Sequence, residues 1–179
     1  MSPSARYRGP SIGRKKRKMQ LTLTPRQMTK ALITMMRAKD PFCIWSQPGM
    51  GKSSLVRQAT SAENLSLIDL RLVLLDPTDL RGLPAISADR TRTQWITPEF
   101  LPKDGNGFLF IDELNRAPQS VQNSALQLVL DRKLGSYDLP PGWSIGAACN
   151  YPGDGGGVMK MNSALTNRFA THLHLQIEE

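Results

Sequence analysis

The chain has 179 residues, 40% of them hydrophobic, which suffices for one well-buried domain and is too short for two ordinary ones. Its formal net charge of +8 suggests nucleic-acid binding, but residues 1–18 hold seven of the 23 Lys and Arg and no acid. Residues 19–179 therefore set 16 basic against 15 acidic residues, and this near balance excludes a strongly basic face as the source of the charge.

Residues 1–18 are predicted to form a basic arm, separate from a core over residues 19–179. The arm contains Ser, Pro and Gly and almost no apolar residues, so we expect it to be disordered in isolation. Two interpretations stay open for its basic run, Arg14 to Lys18. The run either holds nucleic acid phosphates or an acidic partner by charge, or it is a solvated tail.

Two cysteines far apart in the sequence, Cys43 and Cys149, support neither a disulfide framework nor a metal cluster, and we expect both in the core. No apolar run has the length of a signal peptide core or a membrane span. We therefore expect a cytoplasmic protein without a membrane partner.

A capping box begins the first predicted helix. Thr24 is followed by Pro25 and by Gln27 at the third helical position, and the apolar spacing continues the helix to about Lys39. The short apolar run Phe42 to Trp45 then predicts a buried strand.

A phosphate-binding loop is predicted between that strand and the next helix, in the run Ser46-Gln47-Pro48-Gly49-Met50-Gly51-Lys52-Ser53. Such a loop wraps phosphates with backbone N–H groups, and a Cβ at either inner glycine would obstruct them. Lys52 adds charge for the β- and γ-phosphates, and Ser53 supplies a hydroxyl to Mg²⁺. The predicted nucleotide-binding residues are Pro48, Gly49, Met50, Gly51, Lys52, Ser53 and Ser54. Ser46 stands where the motif usually begins with Gly, which would lower phosphate affinity if that position required a positive φ.

The middle of the chain predicts a strand over Leu67 to Leu72 and then turns. Residues 76–98 read as turns with a hairpin rather than a long helix, with residues 87–93 at its exposed tip. That tip either contacts a client or is a plain surface loop.

Two acids follow the next predicted strand, which begins at Phe108. In a P-loop fold this strand lies beside the loop strand, so its carboxyl end brings Asp112 and Glu113 to the phosphates. We predict that Asp112 holds Mg²⁺ and that Glu113 orients and deprotonates the attacking water.

The remaining elements complete an alternating pattern. A helix starts at Pro118 and ends near Gly135, a strand runs from Trp143 to Cys149, and a short helix carries Leu165. Residues 171–177 form a last strand, on which His172 and His174 point to one side and are expected to be structural. Alternating strands and helices predict a parallel α/β sheet of about five strands flanked by helices.

Taken together, these motifs resemble the MoxR-like AAA+ ATPases over about residues 25–177. The pieces that carry the resemblance are Trp45 to Ser53, Asp79-Leu80-Arg81-Gly82, Asp112-Glu113-Leu114-Asn115-Arg116-Ala117-Pro118, Ala148-Cys149-Asn150 and Leu165-Thr166-Asn167-Arg168-Phe169. The resemblance implies a P-loop AAA+ core, ATP and Mg²⁺ as ligands, a homo-oligomeric ring and a protein client.

The resemblance also implies roles for single residues. Asn150 looks like the sensor that helps place the attacking water, and Arg168 like the arginine finger that reaches a neighbour's γ-phosphate. Asn167 replaces the family's usual Asp, and residues 80–101 correspond to an insert within the second helix. Asn115 and Arg116 occupy positions that face another subunit in the family, although a local structural role is equally compatible. The family's helical lid has no counterpart in these residues.

Two functional hypotheses follow. The first is an ATPase with Glu113, Asn150 and Arg168 as its catalytic set. The alternative is a non-hydrolysing, nucleotide-gated or nucleic-acid-binding adaptor that uses the basic arm. A water-activating acid favours the first hypothesis, while Ser46 and the missing lid favour the second.

Overall fold

The computed structural model describes residues 20–154, 157–161 and 163–176. The basic arm predicted for residues 1–18 lies outside the described residues, as does the predicted end of the last strand at residue 177. The strands are β1 (Gln20–Leu23), β2 (Phe42–Ser46), β3 (Ser66–Arg71), β4 (Leu83–Ile86), β5 (Thr93–Ile96), β6 (Gly107–Asp112), β7 (Lys133–Leu134), β8 (Tyr137–Asp138), β9 (Trp143–Asn150) and β10 (Thr171–Leu175). The α-helices are α1 (Pro25–Ala38), α2 (Lys52–Ala62), α3 (Pro77–Arg81), α4 (Gln119–Asp131) and α5 (Ser163–Thr166).

A six-stranded sheet in the order β1-β10-β2-β9-β6-β3 forms the centre of the fold. Every neighbouring pair in it is parallel. This confirms the predicted parallel α/β class, whereas the expected number of about five strands was one too few. The unpredicted strand is β1, an edge strand of four residues that pairs with β10. Its sequence, Gln-Leu-Thr-Leu, alternates polar and apolar residues but has only the minimum length for a strand signal, and its pairing partner lies about 150 residues away in the chain.

Helices cover both faces of the sheet. Successive residues of a strand point to opposite faces, and in β6 the residues on both faces are apolar and buried. Phe108 and Phe110 of β6 pack toward α1 and α2, in a cluster with Met28, Leu32 and Val56. Leu109 and Ile111 alternate with them and pack toward α4, in a second cluster with Val121, Ala125 and Leu128. The sheet is therefore buried on both sides, as parallel sheets generally are.

The segment between β3 and β6 differs in part from its prediction. The hairpin is present as β4 and β5, which pair antiparallel. Residues 77–81, read as turns, form the short helix α3, which begins with a capping box at Asp76 and Asp79. Helix α4 ends at Asp131 rather than near Gly135, since Arg132 takes a left-handed conformation and the small hairpin β7–β8 follows.

Cys43 and Cys149 lie in the core, as predicted. Both side chains are fully buried and are not joined by a disulfide, with their sulfur atoms 3.4 Å apart. Within the described part of the chain, no helix combines the length and apolar character needed to cross a membrane.

Candidate nucleotide-binding site

The carboxyl ends of β2, β6 and β9 lie side by side at one edge of the sheet. Ser46, the last residue of β2, is in register with Asn150, the last residue of β9, and β6 ends at Asp112 on the other side of β9. Parallel strands thus bring together residues that are about 40 to 100 positions apart in the sequence.

The loop after β2 has the backbone that a phosphate cradle requires. Gly49 and Gly51 have φ values of 78° and 76°, in the left-handed region that favours glycine. A Cβ added at either position would meet no protein atom within 4 Å, so the space that these glycines leave open faces away from the protein. Helix α2 begins directly after Gly51, and its first N–H groups favour an anion at this place.

Ser46 does not impose the cost considered for it. It closes β2 and is absent from the residues with positive φ, so no glycine-like conformation is needed. Its hydroxyl is fully buried, donates to the Gln47 carbonyl at 2.9 Å and accepts from Lys52 at 3.0 Å. Serine therefore adds a polar contact at the start of the loop.

Lys52 points its ammonium group into the gap between β2 and β9. Its Nζ donates to Asn150 Oδ1 at 2.7 Å and to Ser46 Oγ. Only 9% of the residue is exposed, and burial lowers the pKa of the ammonium, while Asp112 acts in the opposite direction. An anion bound above the loop would meet a cation that is already in place.

Ser53 and Asp112 contact each other across the loop. Ser53 Oγ donates to Asp112 Oδ2 at 2.7 Å, and Asp112 Oδ1 accepts from the Glu113 N–H at 2.8 Å. The carboxylate is thus held in one orientation, with an oxygen beside a hydroxyl. A hydroxyl and a carboxylate are oxygen ligands of the kind that Mg²⁺ prefers, so this pair fits the cation that the fold class implies.

Glu113 follows β6 in a strained conformation. Its φ of 54° lies in the left-handed region, which a glutamate adopts at some energetic cost. Its Oε1 accepts from Arg116 Nη1 at 2.7 Å, with both side chains about one-third exposed. Glu113 also lines the cavity beside the loop. Arg116 thus has a local partner in this chain.

Asn150 is held from its main chain. Asn115 Nδ2 donates to the Asn150 carbonyl at 2.8 Å, and the Asn150 N–H donates to Asn115 Oδ1 at 3.1 Å. Asn115 is 2% exposed, so in this chain its contacts are internal. This two-bond support for Asn150 was not recognised from the sequence. The position of Asn115 three residues after Asp112 was the available signal, but its partner could not be read from it.

These groups line one cavity of about 290 Å³. Its lining comprises ten residues, all of them predicted site residues: Pro48, Gly49, Met50, Gly51, Lys52, Ser53, Ser54, Asp112, Glu113 and Asn150. Arg168 is not among them. It follows α5, is exposed, and makes no ion pair with any residue that the structure describes.

Comparison with known proteins bears on the fold alone. No family model and no curated protein matches the chain. Among solved structures, the chain resembles a proposed ATPase from Cytophaga hutchinsonii, with a TM-score of 0.63 and 20% identity over 85% of this chain and 46% of that one. It also resembles the Thermotoga maritima RuvB P216G mutant, with a TM-score of 0.56 and 20% identity over 85% and 45% of the two chains. A third is NtrX from Brucella abortus, with a TM-score of 0.56 and 14% identity over 84% and 36%.

The chain spans less than half the length of each of these structures. Their likeness to this chain extends over more than four fifths of its length. The chain therefore has the α/β fold of these structures, with a parallel sheet flanked by helices.

Proposed function

We propose that residues 19–179 form the nucleotide-binding core of a MoxR-like AAA+ ATPase, preceded by the basic arm. The core binds Mg·ATP in the cavity above and hydrolyses it at the contact with a neighbouring subunit of a homo-oligomeric ring in the cytoplasm. The energy is used to remodel a protein partner. The observation that carries the proposal is the convergence of Lys52, Ser53, Asp112, Glu113 and Asn150 on one cavity.

Binding is assigned to the loop and to Lys52. The N–H groups from Gly49 to Ser54 surround the phosphates, and the Lys52 ammonium is directed at the β- and γ-phosphates. Ser53 and Asp112 would hold Mg²⁺, which supplies positive charge to the phosphate oxygens when bound. Their 2.7 Å contact supports this assignment, because both oxygens already lie at one place.

Hydrolysis is assigned to Glu113, with Asn150 orienting the water. The Glu113 carboxylate takes a proton from water as the water oxygen bonds to the γ-phosphorus. The bond from that phosphorus to the β-γ bridging oxygen breaks, and ADP leaves with the electron pair. Asn150 Oδ1 accepts a hydrogen bond from Lys52 Nζ. The Asn150 side chain therefore links the phosphate-binding cation to the end of β9, where the water would lie. The Arg116 guanidinium keeps one oxygen of Glu113 occupied, which leaves the other for the water.

Arg168 is assigned to the neighbour's nucleotide. It lies outside the cavity of its own chain and is solvent-exposed, as a residue that acts across an interface must be. An arginine at the γ-phosphate stabilises charge that develops in the transition state.

Two substitutions separate binding from chemistry in the cavity. Lys52→Ala should weaken ATP binding itself. Glu113→Gln keeps the shape of the side chain and removes the base, so it should bind ATP normally and lose about 10²- to 10⁴-fold in turnover. Titration with labelled ATP alongside phosphate release measures both. Parental turnover by Glu113→Gln would show that Glu113 is not the base, whereas ATP binding by the parent chain without any phosphate release would favour the non-hydrolysing adaptor.

Mixing two inactive variants tests the shared site. Arg168→Ala should lose about 10³- to 10⁵-fold in turnover and keep its ATP affinity, whereas Lys160→Ala, an exposed cation in the same connection, should behave like the parent. Arg168→Ala mixed with Lys52→Ala should recover activity, because an intact loop from the first then meets an intact arginine from the second. Turnover that is independent of concentration and of Arg168 would refute the assignment.

A further inference from the structure

We propose that His172 is a positioning residue for Arg168: fixed in one tautomer by Trp45, it holds the turn that presents the arginine to a neighbouring subunit. The inference rests on the role proposed above for Arg168 and adds the device that orients it. His172 is 4% exposed and lies outside the nucleotide cavity, so its effect must pass through the residues that it contacts.

The two ring nitrogens of His172 have chemically distinct partners. Trp45 Nε1 lies 2.8 Å from His172 Nδ1, and His172 Nε2 lies 3.1 Å from the Thr166 carbonyl oxygen. An indole N–H can only donate and a carbonyl oxygen can only accept. His172 Nδ1 must therefore accept and Nε2 must carry the proton, and both contacts require the same neutral tautomer.

The His172 ring contacts the chain on both sides of Arg168. Before the arginine, Nε2 donates to Thr166, the last residue of α5. After it, the ring of Phe169 packs edge-on against His172, with centroids 6.3 Å apart and an interplanar angle of 81°. Phe169 is 2% exposed, whereas Arg168 between these anchors is exposed. The backbone is thus held inside while the side chain projects outward.

A second feature links this anchor to the phosphate loop. Trp45 immediately precedes Ser46, where the loop begins, and β10, which carries His172, pairs with β2. The hydrogen bonds from Trp45 to His172 and from His172 to Thr166 therefore connect the strand before the subunit's own loop with the turn that carries Arg168. A subunit's loop and the arginine that it offers are thus linked through Trp45 and His172.

Three substitutions divide the contacts of His172. Phe keeps a ring and removes both hydrogen bonds. Gln places an amide N–H near the position of Nε2 and can still donate to Thr166, while Asn places an oxygen near Nδ1 and can still accept from Trp45. Misplacement of a group by about 1 Å costs on the order of 10²-fold in rate, so we expect turnover to fall about 10- to 100-fold for His172→Phe. ATP affinity should stay within about twofold for all three variants, and His172→Gln should retain more turnover than His172→Asn.

The decisive experiment is an asymmetric mixture. His172→Phe mixed with Lys52→Ala should recover activity, because the intact loop of the first meets a well-placed Arg168 from the second. His172→Phe mixed with Arg168→Ala should not recover, since every arginine present is then misplaced or missing. A merely structural defect in His172→Phe would weaken both mixtures alike. Folding and assembly are checked by circular dichroism and sedimentation, and the Gln and Asn variants are carried through the same mixtures.

The control is His174→Phe, which removes the other histidine of β10. The His174 ring stacks on Tyr151 and on Trp45, and Phe keeps a ring for both contacts while removing the hydrogen bond to Tyr151. This variant should show no asymmetry between the two mixtures. Equal recovery of the His172 variants with both partners, or recovery with neither, would overturn the positioning role. If Arg168→Ala and Lys52→Ala also fail to complement each other, the shared site itself is wrong, and this mixture distinguishes the two failures.

Discussion

The β4–β5 hairpin differs strongly in burial from the strands that end at the candidate nucleotide-binding cavity. Strands β6 and β9 are buried at every position. The hairpin exposes large apolar side chains on both of its faces, with Ile86 at 76%, Leu83 at 66% and Trp95 at 44% exposure. It has four residues in each strand and pairs with no other strand of the described chain.

The two regions therefore depend on different interactions. Asp112 and Asn150 stand at the ends of strands that are covered on both faces, so their positions depend on close packing throughout the core. An isolated two-stranded hairpin is only marginally stable. This one depends on the hydrogen bonds between β4 and β5 and on the place where the two strands leave the core, which we call the hairpin root. Substitutions in the two regions should therefore differ in how far their effects spread.

The largest effect is expected from truncating Phe108 in β6. Its ring is fully buried and stacks on Phe42 of β2, with centroids 5.4 Å apart. Phe108→Ala removes that packing near the amino ends of the two strands and should lower the free energy of unfolding by about 3 to 5 kcal/mol. Chemical denaturation with two spectroscopic probes measures it. A loss below about 1 kcal/mol would mean that the core cluster around α1 and α2 can collapse into the gap.

A smaller effect is expected from adding one methyl group to β9. A Cβ at Gly146 would lie 2.6 Å from Phe108 and 2.7 Å from Phe42, closer than real contacts allow. Because these rings are stacked in the core, Gly146→Ala should cost about 1 to 3 kcal/mol of unfolding free energy. The same denaturation measurement checks it, and an unchanged midpoint would show that the rings move without loss.

The matched change at the hairpin root should stay local. Gly82 has a φ of 84° and a ψ of −172°, a region that is almost restricted to glycine, and a Cβ there would overlap the Ile96 carbonyl. Gly82→Ala should raise amide exchange in residues 83–96 about tenfold or more. The unfolding midpoint should shift less than for Gly146→Ala, and a larger shift would show that the hairpin belongs to the cooperative core.

Removing residues 1–18 should have the smallest effect on the core. These residues carry nearly all of the excess charge, so the truncated chain should lose any salt-sensitive nucleic-acid binding. ATP binding and the unfolding midpoint should stay unchanged. Filter binding at low and moderate salt tests the first point, and nucleic-acid binding that survives the truncation would place it on the core.

The phosphate loop and the acids after β6 could be predicted because their signals are local. Gly49, Gly51 and Lys52 follow an apolar run and precede helical spacing, so the motif and its context lie within about 20 residues. The alternation of strands and helices likewise predicted the parallel sheet and the neighbouring strand ends. The hairpin was recognised for the same reason, because its turn residues lie between its two strands.

The features that were missed depend on partners far away in the chain. Strand β1 needs β10 to be a strand at all, and Asn115 gains its role only when β9 places the Asn150 backbone beside it, 35 residues later. Nothing near His172 in the sequence indicates Trp45, which is 127 residues away.

The sequence by itself determined where the residue types suited to binding phosphate, holding a cation or activating water stand, because those types occur in short local patterns. Tertiary structure alone decided which oxygen of Asp112 meets Ser53, that Arg116 occupies one side of Glu113, and that Arg168 lies outside its own cavity. The reason is physical: hydrogen bonds reach only about 3 Å, and folding, not spacing along the chain, brings such partners within that distance.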